Sequence, residues 1–287
     1  MRIDFHCHLF QPVNTKRILK AGSAIFKGYG FYERMVKKFQ EIKSIETSNI
    51  IEKTVFHLRN VNIDKVVLLP VNMKENQEVK KWVEFAPDIF IPFYNAPEKA
   101  NSCNIDVKDE IKKAIVEDKY KGFKVMLTFR EKRLNDRLIF PVLEAAQRYK
   151  LPIVMHCGYP PPGTRKNVLT YSNPIYIDEF ASSYPRANIV ITHMGYPFID
   201  IAIALAAQYP NVYLDLSNLA YMMPVRLREL LIRANEVIGI NKILFGSDGN
   251  IPEMIEIAVN YLDNNDFLTK EETEKIMGLN AVKLLRL

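Results

Sequence analysis

The chain has 287 residues, 48% hydrophobic and 25% charged, enough for one large core and for a barrel that forms a single domain. The formal net charge is +6, but Lys and Arg are interleaved with Glu and Asp and form no dense block. That pattern is a solvated mixed surface and not a nucleic-acid footprint. Cys7, Cys103 and Cys157 are an odd set without a CxxC. No apolar run approaches membrane-spanning length, and the N-terminus lacks a charged region followed by an apolar one. A disulfide scaffold, a membrane protein and a secreted precursor are therefore set aside, and the expectation is a soluble cytoplasmic protein.

The first predicted strand covers 2–8 and carries Asp4-Phe5-His6-Cys7-His8. Side chains alternate along a strand, so Asp4, His6 and His8 are expected on one face and Cys7 on the other. A long segment, 10–48, follows; its second half, 31–45, has helical periodicity, and it reads as either a lid or a surface insertion. A helix is predicted at 50–60, then an apolar buried strand at 65–70. Next come a helix at 75–85, a strand at 88–94, a helix at 106–118 and a strand at 122–127. The helix at 138–150 has Pro141 in its first turn. Strands at 152–156, 188–193, 212–216 and 242–246 alternate with helices at 174–183, 198–208 and 225–234. Two helices, 253–262 and 270–285, close the chain, the last opening on the capping-box pattern Thr269-Lys270-Glu271-Glu272. Eight short strands alternating with helices predict a (β/α)8 TIM barrel of one domain, 1–287, with an insertion after the first strand.

Three of these strands end in histidine. Besides His6 and His8, the run Ile153-Val154-Met155-His156-Cys157-Gly158 and the run Ile189-Val190-Ile191-Thr192-His193-Met194-Gly195 account for four of the chain's five histidines. A fourth run, Ile243-Leu244-Phe245-Gly246-Ser247-Asp248-Gly249, ends in an acid. Imidazoles and a carboxylate at the C-terminal ends of separate parallel strands are the donor set of a catalytic divalent-metal site.

This constellation, with Gly122-Phe123-Lys124-Val125, Phe140-Pro141-Val142-Leu143-Glu144-Ala145-Ala146 and Leu279-Asn280-Ala281-Val282-Lys283-Leu284-Leu285, resembles the amidohydrolase superfamily over most of the chain. More closely it resembles the amidohydrolase-2 family, which includes aminocarboxymuconate-semialdehyde decarboxylase, aromatic-acid decarboxylases and several hydrolases. The resemblance implies one divalent metal, zinc above others, on His6, His8, His156 and Asp248. Asp248 would double as a proton acceptor, and His193 would act beside the metal as a catalytic group. Asp4 is expected to orient its neighbours by hydrogen bonds. Lys124 is ambiguous: some superfamily members carboxylate a strand-four lysine to bridge two metals, whereas an unmodified Lys124 would pair with a carboxylate of protein or substrate. TatD-type nucleases share the first motif but carry glutamate where this chain has Lys124.

The function expected is hydrolysis of a small, carboxylated lactone, amide or ester by metal-activated water, with non-oxidative decarboxylation of an aromatic or muconate-type acid as the alternative. Substrate contacts are expected from Arg130, Lys124 and Tyr159, because cations suit a carboxylate and an aromatic ring suits a planar substrate. The expected partner is a small anionic molecule, not nucleic acid or membrane; a homo-oligomer is compatible with the sequence.

Overall fold

A computed structural model describes residues 1–10, 28, 30, 33, 49–96, 106–158 and 168–287. Apart from Glu33, the helix expected at 31–45 lies outside these residues, as do Cys103 and Tyr159. The strands are β1 (Ile3–Cys7), β2 (Lys65–Leu68), β3 in two pieces (Phe90–Pro92 and Tyr94–Asn95), β4 (Phe123–Val125), β5 (Pro152–Met155), β6 (Asn188–Ile191), β7 (Val212–Asp215) and β8 (Ile243–Leu244). All pair in parallel and in sequence order, and β1 also meets β8, through Phe5 N–H to Phe245 O at 2.9 Å and Asp248 N–H to His6 O at 2.8 Å. This is the arrangement of a (β/α)8 barrel.

Between the strands run α1 (Ile50–Asn60), α2 (Glu75–Phe85), α3 (Val107–Val116), α4 (Phe140–Tyr149), α5 (Asp178–Ser183), α6 (Ile199–Gln208) and α7 (Pro224–Ile238), and α8 (Pro252–Asp263) follows β8. Local chemistry sets several of their starts. Asp106 caps α3 by accepting from Lys108 N, and Pro sits in the first turn of α4, α7 and α8. The Thr269–Glu272 capping box forms, but the helix it opens is broken: Lys270–Glu274 passes through a π turn at Lys275–Leu279 into Asn280–Leu285. Among the described residues no helix is long and apolar enough to cross a membrane.

Strand residues sort into two apolar layers. Val66, Leu68, Phe123, Val125, Ile153, Met155, Ile189, Ile191, Val212, Leu214 and Ile243 pack with the helices, while Val67, Leu69, Ile91, Phe93, Val154, Val190 and Leu244 form the inner layer. Alternation then turns Lys124, His156 and Asp215 inward. It fails in β1. Ile3 and Phe5 belong to the inner layer and Cys7 to the outer one, and the pairing with β2 shifts register between Asp4 and Cys7. This bulge lets His6 follow Phe5 into the interior, so Asp4 does not share the face of His6 and His8 as strict alternation expects.

The join between β1 and β8 is close enough to require glycine. A Cβ on Gly246 would lie 2.7 Å from His6 Cβ and 3.3 Å from Ser217 Cβ. Gly246→Ala is expected to destabilise the fold by about 1–3 kcal/mol, since one of these backbones must move. Urea unfolding measures this; wild-type stability would show that β1 can give way at no cost.

Candidate metal and catalytic site

The site is built where β1, β4, β5, β6, β7 and β8 end. His6 and His8 sit either side of the end of β1. His6 is buried and its Nδ1 lies 2.8 Å from Asp215 Oδ2; His8 Nδ1 lies 2.8 Å from Leu69 O. A carbonyl or carboxylate oxygen only accepts, so each ring carries its proton on Nδ1 and turns the Nε2 lone pair forward. Asp248 meets those lone pairs: its Oδ1 is 3.2 Å from His6 Nε2 and 3.1 Å from His8 Nε2. Asp248 holds a left-handed backbone, φ 57°, with its N–H given to His6 O. Its other oxygen accepts from Asn218 Nδ2 at 3.4 Å and Tyr221 OH at 3.5 Å.

One ligand atom from each of His6, His8 and Asp248 thus lies within 4.8 Å of the other two. Three lone pairs facing one another repel unless something positive sits between them. A proton on a ring nitrogen is one solution. Burial and Lys124 push the His6 imidazole down, but Asp215 and Asp248 outweigh them and leave its pKa above the ordinary value. Burial raises the Asp248 carboxyl, yet His6 and His8 hold it well below the carboxylate range. A divalent cation is the other solution, and it competes with the proton for the same position. The donor set, two imidazoles and a carboxylate, suits zinc and similar transition metals.

His156 is not part of that trio. Its Nε2 is buried without a hydrogen-bond partner, its ring centroid is 5.2 Å from that of His193, and Phe129 packs 4.7 Å from it. Burial and the neighbouring His193 hold its pKa well below the ordinary value. A buried, neutral ring with an unpartnered Nε2 beside the trio fits a further ligand. His193 does not end a strand as its apolar run predicts. β6 stops at Ile191, and Thr192–Gly195 forms a tight turn in which His193 (φ 55°) and Met194 (φ 49°) are both left-handed. Its Nδ1 lies 3.0 Å from Ser217 O and 2.7 Å from Ser217 Oγ. The carbonyl fixes the proton on Nδ1, and His193 Nε2 is left as an acceptor. Burial lowers its pKa to about 4, so the ring is neutral near pH 7.

Lys124 is buried with Nζ 3.3 Å from His6 Nε2, and burial pulls its pKa down to about 8. Asp4 lies behind the trio. It accepts from Ser247 N at 2.9 Å, Ser247 Oγ and His6 N at 3.2 Å, tying β1 to the Asp248 turn; burial lifts its pKa to about 6 against those hydrogen bonds. Arg130 ends the turn Leu127–Arg130 after β4, half-buried. Lys74, Lys132 and Arg133, in the loops after β2 and β4, are exposed.

The Amidohydro_2 family model, described as amidohydrolase, matches residues 3–287. The chain belongs to the amidohydrolase family. This is a family of metal-dependent enzymes, and the trio of His6, His8 and Asp248 is where this member could hold its metal. Over 160 residues the chain is 29% identical to Protein fluG of Emericella nidulans, a match covering 49% of this chain but only 18% of that relative's length. Among solved structures it is similar to an uncharacterised TIM-barrel protein, Bb4693, of Bordetella bronchiseptica (TM-score 0.72, 20% identity, 99% of this chain and 98% of that one). It is also similar to 5-carboxyvanillate decarboxylase of Sphingomonas paucimobilis (TM-score 0.64, 15% identity, 100% and 99%). At these identities the structural likeness is one of fold.

Reading the amidohydrolase site from sequence misses Asp215 and Ser217. Both are buried and both bond to histidines of the site. The signal was present: Val212-Tyr213-Leu214-Asp215 is an apolar run ending in an acid, the pattern that singles out Asp248.

Competition between metal and proton predicts a pH-dependent stabilisation. Zinc at 100 times its Kd contributes ~2.7 kcal/mol, raising Tm by about 5 °C for a chain of this size. Because the His6 pKa is raised, its proton contests the site from near neutrality, and the gain should shrink as pH falls from 8 to 6. Thermal melts with and without zinc across that range measure it. A gain independent of pH, or one retained in His6→Ala, would place the metal elsewhere.

Proposed function

We propose that this amidohydrolase is a metal-dependent hydrolase of a small, carboxylated lactone, amide or ester, and that residues 1–287 form one catalytic domain. The observation that carries the reading is Asp248, a carboxylate between two imidazole Nε2 atoms and held ionised by them. His6, His8, His156 and Asp248 would hold the metal, one zinc ion in our reading. When bound, such an ion supplies Lewis acidity toward a carbonyl and brings the pKa of a water from 15.7 to about 7.

The chain's own groups do the remaining work. Asp248 accepts the proton of the attacking water, and Tyr221 OH and Asn218 Nδ2 keep its second oxygen aligned. His193 Nε2, unprotonated, accepts a hydrogen bond from the same water and orients it. Lys124, buried among acceptors and unmodified in this reading, offers its ammonium to a carboxylate or a developing oxyanion of the substrate. Arg130 is assigned to a substrate carboxylate at the rim, and Tyr159 to stacking on a planar substrate. A small anionic molecule is thus the partner, in a soluble cytoplasmic setting.

Non-oxidative decarboxylation is the second reading. It is favoured by the fold shared with 5-carboxyvanillate decarboxylase over the full chain. It uses the same donors, with Lys124, near pKa 8, as the proton source for carbon.

Turnover of a panel of lactones, amides, esters and carboxylated aromatics decides between them. The hydrolase reading expects acid release without CO2; CO2 evolution from the aromatics alone would overturn it. Two variants test the roles. His193→Ala should lose about 10²–10⁴ in rate while keeping its metal. His156→Ala should lose metal on dialysis, read by elemental analysis. Equal metal loss in both would make His193 a ligand.

A further inference from the structure

Asp215 touches no group that reacts in the proposed mechanism directly, yet it is fully buried and both of its oxygens accept hydrogen bonds. Oδ2 takes His6 Nδ1–H at 2.8 Å. Oδ1 takes His193 N–H at 2.9 Å, Ser217 N–H at 3.0 Å and the Ser217 hydroxyl. That hydroxyl, having given its hydrogen to Asp215, is free to accept from His193 Nδ1–H. A buried carboxylate survives only when so compensated. Here the compensation comes from β1, from the turn after β6 and from the end of β7 itself.

We infer that Asp215 is a positioning residue that sets two site histidines at once, one through each oxygen. Oδ2 fixes His6 as the Nδ1–H tautomer and aims its Nε2 at Asp248 and His8. Oδ1 pins the left-handed backbone of His193, a conformation disfavoured in a non-glycine residue. It also turns the Ser217 hydroxyl to accept, reinforcing the Nδ1–H tautomer that the Ser217 carbonyl selects. The metal ligand and the water-orienting base are thereby set by one group 209 residues from His6 in sequence. The inference rests on the proposed roles of His6 and His193, but its signals are read without substrate.

Asp215→Asn tests both halves, with Ser217→Ala, which keeps the backbone carbonyl, as the control. An amide has one acceptor oxygen, so Asn can serve His6 or the His193–Ser217 side, not both. Zinc affinity of Asp215→Asn, by competition with a chelator, should fall about 10–100-fold, whereas Ser217→Ala should stay near wild type. Long-range ¹H–¹⁵N spectra of zinc-loaded, histidine-labelled protein read the tautomers. Wild type should show Nδ1–H at His6 and His193. Ser217→Ala keeps the backbone carbonyl that accepts from His193 Nδ1–H, so it should leave both tautomers as in wild type. Unchanged zinc affinity and tautomers in Asp215→Asn would overturn the inference. Should that variant not fold, wild-type zinc affinity and tautomers in Asp215→Glu, which displaces both carboxylate oxygens by a methylene, would do so. Intact tautomer results with no hydrolysis of any substrate would instead count against the functional reading alone.

Discussion

Three lone pairs point at one another at the mouth of this barrel, and much of the surrounding structure exists to keep them there. His6 Nε2, His8 Nε2 and Asp248 Oδ1 converge because the far side of each group is committed elsewhere: to Asp215, to Leu69 O, and to Asn218 with Tyr221. Relaxed, each would turn to satisfy itself. Held, they make a position that is favourable only for a cation. The raised His6 and depressed Asp248 pKa values are the same fact seen from the proton's side. The binding energy of a metal at such a place comes from relieving repulsion already built into the fold.

The barrel supplies the rigidity this needs. Asp248 hangs from β1 by a backbone hydrogen bond, and Asp4 clamps the preceding Ser247, so the carboxylate moves with the histidines it faces. Gly246 permits β1 and β8 to approach that closely. Opposite, His193 is forced into a left-handed turn whose N–H is anchored on Asp215. Strained backbone held by a buried carboxylate is a device for fixing one imidazole orientation. It puts the neutral ring, with its acceptor nitrogen, beside His6 and His156.

Much of this can be read in the sequence because parallel strands advertise themselves as short apolar runs, and their C-terminal residues stand out when polar. His156, His193 and Asp248 are visible for that reason, and the eight-fold alternation of strand and helix carries the barrel. Boundaries are less legible. The β-branched Thr192 and the apolar Met194 prolong the run past Ile191 although the backbone has already left the sheet. The β1 bulge is invisible because alternation assumes an unbroken pleat, and only pairing with β2 reveals the shift. The break in the final helix has the same character, a backbone feature with no side-chain signature but Gly278. Asp215 is overlooked for another reason. An acid after a strand is usually a solvated turn residue, and nothing local tells that its partner is the histidine at the other end of the chain. Long-range hydrogen bonds that fix tautomers leave no periodicity to find.

The central claim is that the convergence of His6, His8 and Asp248 is a single metal position. An anomalous-difference map from zinc-soaked crystals, recorded at the zinc edge, tests it most directly. The account predicts one peak, about 2.0–2.2 Å from His6 Nε2, His8 Nε2 and an Asp248 oxygen. Two peaks bridged by a modified Lys124, or no peak between these three residues, would contradict it.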